Sequence, residues 1–399
     1  MRTRVRARGR SGEMRLAPAQ RHPPIPFGVP PDDPAPSRRA ARASWPGGGG
    51  VRHQRGGRTP AARRLGELSS ESLAGCGRRG DTRRRRQATT RRWRRGKKEF
   101  MFERGTLWDS VRSVTASALQ TRALDPIDTD FDVMDDRGVR FVVRVVTKLR
   151  HKPRVPDVRN PFLPYEAALY VADALPTHVC LLNKYNVLEH HLLIITRCFE
   201  DQEDLLSLND FRALWRCLSE YDSLGFYNSG TLSGASQRHK HLQVVPLPLH
   251  PKGGMPAVPI DALLAGCGIV DGEVLSTGVL PFRHVLAFWG RHRMATPERA
   301  AHESLARYHD MLRRAGMWST EGGSARLRGA YNLLVTRRWM MLVPRVRECF
   351  HSMSFNSLAF AGALLVQTKT QLAQLRAAGP FAALEHVTWP DVAGGPAQT

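Results

Sequence analysis

The sequence predicts an α+β fold, an antiparallel sheet with flanking helices, on three observations. Runs rich in β-branched and apolar residues come as neighbours joined by connections too short for a crossover helix. Segments with helical spacing fall between these pairs and do not alternate with single strands, as a βαβ repeat would require. No internal repeat runs along the 399 residues, of which 42 % are hydrophobic and 24 % charged, a composition able to bury a sizeable core.

The elements follow in order. Leu107, Trp108, Val111, Val114 and Ala118 recur at helical spacing and predict a short amphipathic helix over 106–119. The β-branched run 139–146, bounded by Asp-Asp-Arg-Gly, predicts a strand, and the Pro-rich stretch 152–164 a loop. Residues 178–183 and 191–196 predict two strands, and the connection 184–190 has a length consistent with antiparallel pairing. Asp210 is expected to cap a helix over 211–221, with Phe211, Leu214, Trp215 and Leu218 on one face. Two strands then flank a Gly/Ser-rich loop, one ending near Tyr227 and the other running over 239–245. Residues 251–295 read as irregular, and Thr296 with Pro297 opens a helix reaching Gly316. Two more strands, 331–336 and 339–343, surround the pair Arg337-Arg338, and a last helix is expected over 354–375. Residues 101–378 thus read as one catalytic domain, followed by a weakly structured tail over 379–399.

The formal net charge of +24 is not spread evenly. Residues 1–100 hold 27 Lys+Arg against 7 Asp+Glu, leaving 33 against 29 for the rest. The same hundred residues contain 14 Gly and 10 Pro and show no apolar period, which predicts a disordered extension. A nucleic-acid-binding arm or a targeting peptide would use such arginines. The GC-rich codon bias of Arg, Gly, Pro and Ala favours a reading frame annotated too far upstream, with Met101 as the initiator. No apolar run is long enough for a transmembrane helix, so no membrane partner is expected. Six cysteines without a Cys-x-x-Cys predict free thiols in a reducing cytosol, and hence a cytoplasmic protein, with Cys198 and Cys217 in the core.

The chemistry is concentrated between Phe226 and Pro246. On a strand, His239, His241 and Gln243 share one face while Lys240, Leu242 and Val244 share the other. The loop just before, from Asn228 to Ser236, holds two glycines and four hydroxyl side chains whose amides and hydroxyls can converge on an anion. An anion cradle beside a histidine row points to phosphate chemistry, with imidazole as the covalent relay of a two-step nucleotidyl transfer. His241, flanked by both neighbours, is the expected nucleophile; His239 would orient the site or bond the phosphate. Gln243 would donate a hydrogen bond without ionising. His-x-His is also a zinc-ligand spacing, but no third ligand stands nearby in sequence, so no protein-held metal is expected. At most one of the adjacent His190 and His191 can reach such a site. As nucleophile, His241 should lose activity on protonation below about pH 6.

These residues resemble the histidine-triad superfamily in its transferase branch, specifically the diadenosine tetraphosphate phosphorylase (ATP adenylyltransferase) family. His239-Lys-His-Leu-Gln243 is similar to the triad strand, with Gln where the hydrolases have a third His. Tyr227-Asn-Ser-Gly, Ser233-Gly-Ala-Ser, the Asn183-Lys184 stretch, Asn160-Pro-Phe-Leu-Pro164, 331–339 and Phe355-Asn-Ser-Leu358 extend the likeness from about 107 to 366. The resemblance implies a histidine-triad-like sheet and phosphorolysis of diadenosine tetraphosphate by inorganic phosphate into ATP and ADP, through a nucleotidyl-histidine. It assigns His241 as nucleophile and Gln243 to the reacting phosphate. Lys152, Asn183 and Lys184 would bind substrate, Asn228 and the turn Gly234, Ala235, Ser236 and Gln237 the α-phosphate, and Asn356 with Ser357 would add contacts. Magnesium would arrive on the substrate's phosphates, since no carboxylate cluster makes a cage. Gln367 stands where members of the family tend to carry a lysine. The rival readings are a uridylyl-transferring relative and a nucleic-acid-binding protein using the basic arm; nucleic acid is not the expected partner.

Overall fold

A computed structural model of the chain describes residues 101–147, 160–250, 253–266, 273–276, 278–289, 296–319 and 326–390. The expectations for residues 1–100 and for Lys152 lie outside these residues. The described chain runs α1 (Leu107–Gln120), β1 (Thr129–Asp136), β2 (Val139–Val146), β3 (Tyr170–Leu175), β4 (His178–Leu182), β5 (Leu192–Thr196), α2 (Leu208–Leu218), β6 (Ser223–Ser229) and β7 (His241–Pro246). It continues through α3 (Asp261–Leu264), β8 (Val274–Leu275), β9 (Val285–Phe288), α4 (Pro297–Arg314), β10 (Trp318–Ser319), β11 (Arg326–Leu327), β12 (Ala330–Val335) and β13 (Trp339–Arg345). The last elements are β14 (Cys349–Phe350), β15 (Met353–Ser354), α5 (Ser357–Phe360), β16 (Ala363–Val366), α6 (Lys369–Ala378) and α7 (Pro380–Val387).

Nine strands form one antiparallel sheet in the order β3-β4-β5-β7-β6-β12-β13-β9-β8. Side-chain alternation divides it between two cores. Leu242, Val244, Ile194 and Leu333 point to the face packed by α1, α2 and α4, where Leu107, Trp215 and Tyr308 bury their rings and methyls. Phe226, Val245, Leu334 and Met341 point to the other face, where Phe141 and Val143 of β2, Leu364 of β16 and Phe381 of α7 cover them. Because both faces are covered, β4, β5, β12 and β13 are buried along their whole length. No helix among the described residues is long and apolar enough to cross a membrane.

Several expectations are corrected. The cap of α2 is Ser207, not Asp210: the Ser207 hydroxyl accepts the Asp210 N–H while the Asp210 carboxylate accepts the Ser207 N–H at 2.7 Å, a reciprocal capping box. Asp210 is thereby pulled inward, where it accepts from His178 Nε2 at 3.0 Å. The hairpin strand β1 escapes sequence reading because four of its eight residues are Asp and its exposed pattern gives no apolar alternation. The expected helix over 354–375 is three elements. Asn356 and Thr368 each start a new helix by capping it, and between them Gly362 turns the chain at φ +92° so that β16 adds parallel to β2. The tail from Gly379, expected to be weakly structured, begins with the eight-residue α7, whose Phe381, Leu384 and Val387 are buried. Cys217 is buried beside Cys180 as expected, whereas Cys198 is exposed.

Candidate functional site

On the face away from α2 lies a cavity of about 1890 Å³, walled by the sheet, the 230–238 turn, the 352–359 segment and β16. Antiparallel register sets its floor: Ile195 opposes His241, Leu193 opposes Gln243, and Phe226 opposes Gln243 from the other side. Beyond that last pair β6 and β7 part, and the buried Gln202 side chain fills the gap. Its Oε1 accepts the His241 N–H at 2.8 Å, and its Nε2 donates to the carbonyls of Asn228 (2.8 Å) and His241 (3.3 Å). Without Gln202 these backbone groups would be buried and unpaired.

The His241 ring is 4 % exposed and lines the cavity. Its Nδ1–H donates to the His239 carbonyl at 2.8 Å, which leaves Nε2 with its lone pair and no partner among the described residues. Burial lowers its pKa from 6.5 to about 4, more than the His239 carbonyl raises it. The expected acid limb near pH 6 is therefore displaced downward. Phe162 leans on the ring with centroids 5.2 Å apart, excluding water from one side.

His239 does not share β7; it pairs with Asp201 as an isolated bridge just before the strand begins. Both of its ring nitrogens are engaged: Nε2 lies 2.8 Å from the Thr196 carbonyl oxygen, and Nδ1 accepts from Asn160 Nδ2 at 2.8 Å. Its side chain braces the site, and its carbonyl selects the tautomer of His241. Gln243 continues the row. Its Oε1 accepts from His191 Nε2 at 3.0 Å, while His191 Nδ1 lies 3.2 Å from Asn183 Nδ2, so the Gln243 amide nitrogen is the end left for the cavity. Of the adjacent pair, His191 thus enters the site, whereas His190 turns away at φ +57° to Thr115 and Trp108 of α1.

Asn228 shows the same polarity. Its Oδ1 accepts the Ser357 N–H at 3.0 Å and Asn332 Nδ2 at 2.8 Å, leaving its Nδ2 without a partner among the described residues. In the turn after it, the N–H groups of Gly234 and Ala235 are used internally, by the carbonyls of Thr231 and Gly230. Those of Ser236 and Gln237 make no hydrogen bond among the described residues, and both residues line the cavity. Gly234 sits at φ +84°, and a Cβ there would meet the Phe355 carbonyl at 2.8 Å. The close approach of this turn to the 355–357 segment therefore requires glycine.

Asn183, Lys184 and Asn356 also line the cavity; Lys184 Nζ pairs with Glu166 at 2.5 Å, and Asn356 caps α5. Ser357 does not reach the cavity and stands fully buried behind Asn228. Gln202 and Arg144 were not singled out from sequence, and Asn160 and Asn332 were read only as parts of the stretches 160–164 and 331–339, with no role of their own. Arg144 lines the cavity from β2, with its Nε unpartnered among the described residues. Neither Gln202 nor Arg144 sits in a local pattern that marks it. Taken together, the cavity offers one free imidazole nitrogen facing amide donors and no competing acceptor from either carboxamide, which suits a nucleophile attacking an oxyanion-bearing centre.

Two family models match in succession: the Ap4A phosphorylase N-terminal domain over residues 97–266 and the ATP adenylyltransferase C-terminal domain over 278–390. Protein APA1 of Saccharomyces cerevisiae is 29 % identical over 206 residues, 47 % of this chain and 60 % of that protein. Diadenosine tetraphosphate phosphorylase 2 of the same yeast is 27 % identical over 241 residues, 54 % of this chain and 71 % of that protein. The crystal structure of yeast Ap4A phosphorylase Apa2 in complex with Ap4A shares the fold, with a TM-score of 0.60 at 24 % identity, covering 73 % of this chain and 99 % of that one.

Proposed function

Because this chain belongs to the Ap4A phosphorylase and ATP adenylyltransferase family, we propose that it splits diadenosine tetraphosphate with inorganic phosphate into ATP and ADP, and runs adenylyl transfer in reverse. One observation carries the reading: His241 Nε2 is free, unprotonated and aimed into a cavity whose carboxamides present nitrogen, not oxygen. In the first step Nε2 forms a bond to the α-phosphorus of one adenylyl end, and the bond to the bridging oxygen breaks, releasing ATP. As the ring becomes cationic, its Nδ1–H bond to the His239 carbonyl strengthens and stabilises the adduct. In the second step an oxygen of inorganic phosphate attacks the same phosphorus, the N–P bond breaks, and ADP leaves with neutral His241 restored. Gln243 Nε2, Asn228 Nδ2 and the amides of Ser236 and Gln237 would hold the charge that builds on the equatorial oxygens.

The cavity exceeds the roughly 300–1,000 Å³ usual for a single small ligand, as a substrate with two nucleosides and four phosphates requires. Among the described residues no three His, Cys, Asp or Glu side chains converge as a cation site. Of the carboxylates at the rim, Glu166 is tied to Lys184 and Asp201 to Arg238. Magnesium in this proposal therefore rides on the phosphates.

The purified full-length protein, incubated with diadenosine tetraphosphate, phosphate and magnesium, should yield ATP plus ADP, and without phosphate no ADP and no more than about one ATP per site. The His241→Ala variant should lose at least about 1,000-fold in rate, as removal of a covalent nucleophile does. An adenylylated protein should be trapped when phosphate is withheld. AMP plus ATP as products would replace phosphorolysis with hydrolysis, and activity on a uridylyl donor alone would move the chain to the uridylyl-transferring relatives.

A further inference from the structure

Arg345 is 1 % exposed, yet no carboxylate lies within ion-pair distance of it among the described residues. Its five N–H groups meet five neutral oxygens: Asn332 Oδ1 (2.5 Å), and the carbonyls of Phe355 (2.8 Å), Arg347 (2.9 Å), Glu348 (3.0 Å) and Val387 (3.2 Å). A buried cation ordinarily carries a partner of opposite charge, because its desolvation is otherwise uncompensated. Burial lowers its pKa to about 9, against a weaker upward pull from Glu348 and Cys349.

A guanidinium has no acceptor, so the Asn332 side chain must turn its oxygen toward Arg345 and its nitrogen away. That nitrogen faces Asn228 Oδ1 at 2.8 Å, the Ser233 carbonyl at 2.9 Å and Ser357 Oγ at 3.1 Å. Strand register places Asn332 directly opposite Asn228, so the contact follows from backbone pairing. With its oxygen taken by Asn332 and by the Ser357 N–H, Asn228 has only its nitrogen left for the cavity.

We propose that Arg345 and Asn332 are positioning residues that set the polarity of the anion site. The guanidinium orients Asn332, and Asn332 presents the Asn228 amide nitrogen, together with the 230–237 turn, to a phosphate. The inference deepens the proposed function and rests on it for the identity of the anion. The same buried charge, with no carboxylate in ion-pair contact among the described residues, favours an anion in the cradle it supports.

Asn332→Asp in the full-length chain tests this. One carboxylate oxygen accepts from Arg345, and the other is set against Asn228 Oδ1 and the Ser233 carbonyl, both of them acceptors. Calorimetric titration should show AMP binding weakened by about 10- to 100-fold, the cost of charge-assisted hydrogen bonds. Adenosine binding should change by less than about threefold in that variant, since the neutral nucleoside presents no anion. Parallel loss of both ligands, or no loss of either, overturns the proposal. Should the variant not fold, the unmutated protein labelled with 15N-asparagine gives a second reading. The Asn228 side-chain NH₂ signal, identified by its absence in Asn228→Ser, should shift with AMP and not with adenosine, and a signal unmoved by AMP overturns the proposal. Protein that binds AMP more tightly than adenosine without phosphorolysing diadenosine tetraphosphate would refute the activity and leave the polarity intact. If AMP binds no better than adenosine, the anion site itself falls.

Discussion

At the scale of single residues, the decisive quantity is where the proton sits on His241. Its Nδ1–H is committed to the His239 carbonyl, and burial keeps the ring neutral down to about pH 4. Below that value Nε2 is protonated and has no lone pair to give. The ratio kcat/KM for diadenosine tetraphosphate should therefore stay level from pH 7 to about 5 and fall tenfold per unit below about 4. A limb near 6.5 would contradict the burial argument. The same shift couples to folding. The unfolded ring titrates at 6.5 and the folded one at about 4, so the unfolded chain binds more protons between those values and stability rises with pH across that window. As pH falls from 6.5 to 4 this ring should cost about 3 kcal/mol, read as a lower urea midpoint. That His241 and Gln243 share the face that lines the cavity was legible from the alternating row. The tautomer was not, because it depends on a carbonyl whose direction the side-chain pattern does not encode.

At the scale of elements, the site is a junction where β7 leaves its pairing with β6. Alternation along β7 put His241 and Gln243 on one face, and the structure has Leu242 and Val244 on the other, packed toward α2. Sequence spacing extended the strand back to His239, but the partner of His239 is Asp201, which lies on no neighbouring strand. The Gly/Ser turn was legible as a cluster of amides beside the row, though its first amides close the turn on itself and only the last ones make no hydrogen bond among the described residues. Gly234→Ala should show how tightly this turn is packed. Its left-handed φ and the 2.8 Å approach to the Phe355 carbonyl leave no room for a methyl group. The substitution should cost about 1–3 kcal/mol of stability and weaken AMP binding roughly tenfold, with denaturant midpoint and calorimetry as the measurements. Retention of full AMP affinity would mean that the turn does not hold the phosphate.

At the scale of the whole molecule, the large sheet is covered on both faces, and the C-terminal elements complete the second cover. Phe381 of α7 packs edge-on against Phe141 of β2 at 4.9 Å, and the Val387 carbonyl accepts from Arg345 behind the site. Helix α7 thus reaches, through Arg345, the Asn332 side chain behind the cavity. Phe381→Ala should lose about 3–5 kcal/mol in chemical denaturation, the usual cost of deleting a fully buried ring. A loss below about 1 kcal/mol would show that α7 lies outside the cooperative core.

By itself the sequence determined the strand and helix periods of the centre of the chain, the antiparallel class and the chemical character of the His-Gln row. Each of these depends on residues within a few positions of one another, where backbone geometry imposes a period. Only the tertiary structure decided the rest: Gln202 bridging two diverging strands, His191 behind Gln243, and Arg345 behind Asn332. Asn332 and Asn228 are 104 residues apart, and Gln202 and His241 are 39 apart. At such separations no repeat in the sequence marks a partner, because which polar groups meet is fixed by strand register and by the need to satisfy every buried donor and acceptor.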